Sequence, residues 1–476
     1  MSGARDADRP THADPVIVVG AGWSGLAAAV ALTRAALPVA LLDAAPQAGG
    51  RARRLDLELA GRSVALDNGQ HLMVGAYRDT LALARSVGAS ERALQRLPMR
   101  LRSTDGLALD SPRLPAPLHL AAGLLRARGF MPGDRLRLLR LLLVARARGW
   151  RPPRGIATVG AWLTAGRQPA LLQRRFWEPL CVAMLNTDPQ LACAATFLRV
   201  LRDTLGGSRA AADFLLPTAT LDEVLPAPAL AFLRKAGAEI ALRETVTRIA
   251  PTAEGIWRVH TSRGERRARG VVLALPAPAQ ARLLRTLPDE PSAGRIAERL
   301  DSFRHEAIAT AYLAWPAEVG ARLPDMLMLA EESARQAWGQ WLFGRGVQQG
   351  LAIGAVVVSA HGRVAADSGS LAAAIGHQLE QQVGLPPPLA ARVITEKRAT
   401  ILCTPGRPRV GAGDVDGIAL PWAGLWLAGD HAWPDYPSTL ESAVRGGLAA
   451  AAAASGSLRA ATPHQAQSDG AMASRG

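Results

Sequence analysis

Cysteine is scarce: Cys181, Cys193 and Cys403 are the only three in 476 residues. They are too few and too scattered for a disulfide framework or a zinc site, so buried thiols and no metal are expected. Aromatic residues make up 4% of the chain, and Tyr77, Tyr312 and Tyr436 are the only tyrosines. With no basic-aromatic module, nucleic acid has little to stack on, and it is set aside as a partner despite a net charge of +15. No run of about 18 uncharged apolar residues is present, so the chain is not read as membrane-spanning. The first fifteen residues, MSGARDADRPTHADP, hold no apolar core ahead of a cleavage site and do not read as a signal peptide, so a cytoplasmic protein is expected. Lysine is nearly missing, since almost all of the 55 basic residues are arginine. A sequence pI near 11.1 leaves an anionic membrane surface as the favoured charged partner.

What is present is a globular composition, 49% hydrophobic and 20% charged, at a length that favours two domains. Residues 16–19, VIVV, read as a buried parallel strand. The turn GAGWSG and the helical LAAAVALTRAAL follow, and a second strand, PVALLDA, ends near Asp43. This is a βαβ unit. GGRARRLDLELAGRSVALDNGQHL then reads as a hairpin, and residues 80–215 as Leu/Arg-rich helices. In GDRLRLLRLLLVARARGW, Leu136, Leu139, Leu143 and Ala147 fall on one stripe, with Arg137, Arg140 and Arg148 elsewhere. Two readings stay open: a core-facing stripe with a solvated basic face, which is preferred, or a helix lying on anionic lipid with its arginines snorkelling. Strands return at 238–276, at AIATAYLAW and at LAIGAVVVSA. The chain closes with GLWLAGDHAWPDYPSTLESAVRGGLAAAAAA, a strand, a polar loop and a long helix of small residues.

Gly20, Gly22 and Gly25 form G-x-G-x-x-G. The first allows the tight turn, the second lets backbone approach a pyrophosphate, and the third lets helix pack on strand. Asp43, eighteen residues further on, supplies a carboxylate for ribose hydroxyls. PQAGGRARR follows at once, placing Gly49, Gly50 and Arg51 as a second backbone approach with a cation. NAD enzymes do not usually need that second clamp.

An acidic residue, a short spacer and G-G-R resemble the amine oxidase and phytoene desaturase superfamily of flavoproteins. LWLAGD followed by STLESAVRGGLAAA resembles its C-terminal signature. The resemblance implies FAD as cofactor, with Gly429 and Asp430 at its ribityl-pyrophosphate part and the helix start at Thr439, Leu440 and Glu441 beside the flavin ring. It also implies that Val246, in ETVTRI, meets the adenine through its backbone. Trp23 together with LDNGQHLMVGAYRDTLALARSVGA resembles the hydroxysqualene dehydroxylases of bacterial hopanoid synthesis. There Asn68, Gly69 and Gln70 are expected beside the cofactor. Gly69 would let the chain pass closely, and Gln70 and His71 would offer hydrogen bonds.

The implied fold is α/β, a discontinuous Rossmann-type FAD-binding domain (14–78, 216–278 and 400–456) with a mixed sheet-plus-helix substrate domain (79–215 and 279–399). Disordered tails are expected at 1–13 and 457–476. The implied activity is reductive removal of an allylic hydroxyl from hydroxysqualene, by hydride transfer from reduced flavin N5 to an allylic cation. His71 or Asp435 is expected to assist the hydroxyl; support of the cofactor is the competing role for each. With three tyrosines, an aromatic amine cage is improbable, and His305 and Glu306 stand where related oxidases carry a lysine. An isoprenoid substrate and peripheral association with anionic membrane, on the inner face of the cell membrane, are the expected partners. Two other readings stay open: an isoprenoid desaturase or amine oxidase-like oxidoreductase, and a non-catalytic FAD-stabilised membrane scaffold.

Overall fold

The computed structural model describes residues 14–116, 118–287, 291–364 and 367–460. A five-stranded parallel sheet organises the nucleotide-binding half. Its order is Glu239–Leu242, Val39–Asp43, Val16–Val19, Gly270–Leu273 and Leu425–Leu427. Numbered along the chain, that order is 3-2-1-4-5, the doubly wound Rossmann arrangement, with its switch point beside the first strand. The VIVV run is apolar throughout because both of its faces are covered. Val16 and Val18 enter a core with the helices Trp23–Arg34 and Leu440–Ala460, while Ile17 and Val19 enter another with the antiparallel strands Val246–Pro251 and Trp257–Thr261.

A second five-stranded sheet is antiparallel throughout, in the order Leu327–Met328, Trp341–Gln348, Leu351–Val358, His305–Pro316 and Ala390–Ile401. Strand alternation divides the strand His305–Pro316 between two cores. Ala309, Ala311, Leu313 and Trp315 pack toward the helix Ser368–Val383, whereas Tyr312 and Ala314 face a layer of helices drawn from 118–205.

Three expected boundaries move. Those at 215/216 and 399/400 fall inside the strands Phe214–Pro217 and Ala390–Ile401, whose pairing continues across them. The C-terminal helix runs on to Ala460, so the expected tail does not begin at 457; Leu458 packs against the core and holds that last turn. The remainder of that expected tail, 461–476, and the expected N-terminal tail, 1–13, lie outside the described residues. Among the described residues no helix is long and apolar enough to cross a membrane.

The stripe Leu136, Leu139, Leu143 and Ala147 does not face the core, contrary to the preferred reading. The helix Pro132–Ala147 buries Leu138, Leu141, Leu142 and Ala145, and leaves Leu136, Leu143 and Ala147 exposed and Leu139 half-buried. Leucine occupies both faces, so periodicity alone could not choose between them.

Candidate active site

The first helix and the C-terminal helix meet with no room for side chains. A Cβ on Gly25 would lie 1.7 Å from the Gly20 carbonyl oxygen, one on Gly446 2.2 Å from that of Gly429, and one on Gly447 2.1 Å from that of Ser24. Gly22 is different. Its nearest neighbour would be the Gly50 Cα at 3.8 Å, an ordinary van der Waals contact with no clash. Gly50 holds φ at +60°, and the Gly49 amide donates to the Ala21 carbonyl at 2.9 Å. Two glycine turns thus face each other at a helix N-terminus, where bare backbone amides are the groups that suit a phosphate.

Asp43 ends its strand beside the first of these turns. Its carboxylate accepts from the amides of Ala21 (2.5 Å) and Ala45 (2.7 Å). The Glu244 amide donates to the Asp43 carbonyl at 2.9 Å, which brings Val246, the first residue of its strand, to the same end of the sheet. On the other side Arg51 pairs with Asp430 at 2.6 Å and donates to the Ala399 carbonyl. Burial would push the Asp430 carboxyl up, but the Arg51 guanidinium and His431 hold it well below the usual carboxylate range. Thr439 caps the C-terminal helix, its Oγ1 accepting from the Ser442 amide, and Leu440 opens that helix.

The segment Asp67–His71 crosses from this cradle to the second sheet. Asn68 donates to the Arg51 carbonyl at 3.0 Å, the Gln70 amide to Thr310 Oγ1 at 3.1 Å, and the Tyr312 hydroxyl to the Asp67 carbonyl at 2.9 Å. Gly69 sits at φ +93°, where other residues are strained. Gln70 Oε1 is buried without a hydrogen-bond partner. His71 is half-buried, with Nδ1 2.8 Å from the Gly69 carbonyl oxygen. A carbonyl only accepts, so Nδ1 carries the proton and Nε2 presents a lone pair. Burial lowers the His71 pKa; the Gly69 contact opposes that shift and the nearby Arg51 charge adds to it.

Several expected residues are engaged otherwise. Trp23 is buried, its indole nitrogen directed at the Ala52 carbonyl at 3.3 Å, so it braces the two glycine turns against each other. Glu441 accepts from the amides of Asp79 and Thr80 and pairs with Arg445, which fastens the helix Arg78–Ser86. Asp435 stands 41% exposed between Arg409 (2.8 Å) and Arg199 (3.4 Å). Burial alone would raise its pKa, but these arginines lower it, leaving an ionised carboxylate engaged by two guanidinium groups with no proton to give. Glu306 accepts from the Gly362 amide at 2.9 Å.

Thr310 and Tyr312 were missed as anchors of the Asp67–His71 segment, since both read simply as strand residues. Gln280 and His431 were also missed. Gln280 donates to the carbonyls of Leu273 and Ala428 and contacts His431 Nε2, tying together the ends of two parallel strands. No sequence signal marked Gln280; His431 lay next to the Gly429–Asp430 pair.

The two opposed glycine turns, the carboxylate at the strand end and the converging helix starts fit an extended dinucleotide, and residues 23–455 match the model of the flavin containing amine oxidoreductases. The chain belongs to that family. It is an FAD-dependent oxidoreductase with a Rossmann-type fold. The chain is 28% identical over 444 residues to the hydroxysqualene dehydroxylase of Rhodopseudomonas palustris, covering 92% of this chain and 97% of that protein. It is also 28% identical to the hydroxysqualene dehydroxylase of Sinorhizobium fredii, with the same coverage. Among solved structures, the cyclohexylamine oxidase of Brevibacterium oxydans shares the fold, with a TM-score of 0.67 at 20% identity over 94% of this chain and 99% of that one.

Proposed function

We propose that this chain removes an allylic hydroxyl from hydroxysqualene or a similar linear isoprenoid, giving the hydrocarbon and water. Bound FAD in its reduced form supplies the hydride equivalent. Within the cradle, Gly20, Gly22, Gly25, Gly50, Arg51, Gly429 and Asp430 hold the pyrophosphate and ribityl portion, Asp43 the ribose, and the Val246 backbone the adenine. Asn68, Gly69, Gln70, Thr439 and Leu440 border the ring. Trp23 acts from behind, as a brace.

The chain's own task is to help the hydroxyl leave and to keep water from recapturing the allylic cation. The observation that carries the reading is His71, held by the Gly69 carbonyl at the seam between cradle and second sheet. A lowered pKa makes its protonated ring a stronger acid than ordinary imidazolium. Nδ1–H stays on Gly69 in both protonation states, so Nε2 is the atom that passes a proton to the departing hydroxyl. Water exclusion falls to the apolar core that contains Leu66 and Tyr312, against which Leu72, Met184, Phe214, Ile308 and Ile394 pack partly buried. A substrate of this kind resides in lipid, so peripheral membrane association belongs to the same proposal.

The test is anaerobic and single-turnover. Enzyme with reduced flavin is mixed with hydroxysqualene, and the flavin spectrum is followed together with product mass. The expected result is reoxidation with squalene formed, faster toward acid pH, and slowed by about 10²-fold or more in His71→Ala. A His71→Ala rate equal to the wild type would remove His71 from the chemistry. Bleaching of oxidised enzyme by squalene would favour a desaturase, and an inert flavin with either compound would leave the scaffold.

A further inference from the structure

Among the described residues, seven of the eleven large exposed hydrophobic side chains lie between Leu114 and Val144. All but Leu114 belong to a hairpin formed by the helices Leu118–Arg126 and Pro132–Ala147. These side chains are not an unfilled core face. Leu138, Leu141, Leu142 and Ala145 already complete the inward side of the second helix, and Leu138 is 1% exposed where Met131 is 67% and Leu136 is 60%. The first helix cannot rotate its outer face inward, because Gly123 packs so closely that a Cβ there would lie 2.7 Å from the Asp110 carbonyl oxygen. Arg135 locks the turn between the helices by donating to the carbonyls of Leu125 and Phe130.

Charge identifies the partner. Residues 113–154 carry ten arginines against one acid, Asp134, and so nine of the chain's fifteen net positive charges. All of these arginines but Arg135 are exposed, and Asp134 is engaged by Arg137 at 3.1 Å. At about 100° per residue, Arg137 and Arg148 fall on one side of the Leu136–Leu143–Val144 stripe and Arg146 on the other, with Arg140 inside it. Apolar tips bordered by long guanidinium stems suit a surface with a hydrocarbon interior and anionic headgroups. A second copy of this chain is disfavoured, since a two-fold interface would set this concentration of positive charge against itself.

From this geometry we infer that the hairpin 118–148 is the surface by which the protein docks on an anionic lipid bilayer, inserting Leu118, Leu125, Met131, Leu136, Leu143 and Val144 below an arginine rim. The inference rests on the proposed isoprenoid chemistry only for its purpose. The inward leucines of the hairpin share one apolar core with Tyr312 and Ile353 of the second sheet.

Flotation of full-length, FAD-loaded protein tests it, with vesicles of phosphatidylcholine alone and with about 30% phosphatidylglycerol. Wild type is expected to float with the anionic vesicles and to be released at about 0.5 M salt. Leu136→Ser/Leu143→Ser is expected to bind about tenfold more weakly, and Arg140→Gln/Arg146→Gln/Arg148→Gln to lose the preference for phosphatidylglycerol. Both variants should keep the flavin spectrum, the melting temperature and turnover of detergent-dispersed substrate. Flotation of both variants at wild-type levels, no flotation of wild type, or a wild-type dimer that the leucine variant dissociates would each overturn the inference. Vesicle binding without isoprenoid turnover would instead count against the proposed reaction alone.

Discussion

A methyl group added to Gly25 would sit 1.7 Å from a carbonyl oxygen, whereas Leu136, on the hairpin, stands 60% exposed. In the first region the recognising atoms are backbone, brought together by side chains that are missing. In the second the side chains themselves are the contact, and the backbone only holds them out. A rigid, charged ligand of fixed length can be met by fixed amides at helix starts. A fluid surface has no fixed atoms to match, so area and charge do the work there. The difference predicts opposite sensitivities to substitution.

The largest effect is expected at the cradle. Gly25→Ala forces backbone apart where the first helix packs on the Gly20 turn and Ala274, and we expect more than about 4 kcal/mol of destabilisation, read by urea unfolding. Gly22→Ala separates packing from binding: its φ of −70° suits alanine and nothing lies within 3.4 Å, so the protein should fold as wild type yet lose FAD in dialysis. A Gly22→Ala protein that keeps its FAD would break the distinction between the two glycines.

An intermediate effect divides the two faces of one hairpin helix. Leu138→Ala should cost about 3 kcal/mol, while Leu136→Ala should fall within about 0.5 kcal/mol in the absence of lipid. Equal losses on the two faces would mean that Leu136 is covered by protein in solution.

The smallest effect concerns the seam. Asp67 is buried at 1% exposure, its Oδ2 has no hydrogen-bond partner, and Arg345 stands 3.9 Å away. Burial pushes its pKa up to about 6, against the opposing Leu221 amide and Arg345 charge. A carboxyl whose folded pKa exceeds its unfolded value takes up a proton on folding, so stability falls as pH rises from about 4 through about 6. Asp67→Asn should therefore stabilise the protein by about 2 kcal/mol at pH 8 and by almost nothing at pH 4. Unfolding curves at the two pH values would check the sign.

The cradle was largely legible in the sequence because its rules are local. Glycine spacing reports backbone conformation directly, and Asp43 follows within one βαβ unit. The roles of Trp23 and Asp435 were not legible in the same way. Trp23 looked like part of the cofactor fingerprint, but its partner is the Ala52 carbonyl, 29 residues on. Asp435 lay in a loop near the flavin signature, and only folding brought Arg199 and Arg409 to it.

By itself, the sequence pointed to a dinucleotide met by the backbone of two glycine turns, and its resemblance to flavoproteins implied FAD. The tertiary structure decided which leucines of the Leu/Arg helix are core and which are surface, and which polar groups of the Asp67–His71 segment remain to act. Backbone conformation is encoded within a few residues of where it is used. Burial is a property of everything packed around a side chain, and a helix with leucine on both faces does not reveal which face will be covered.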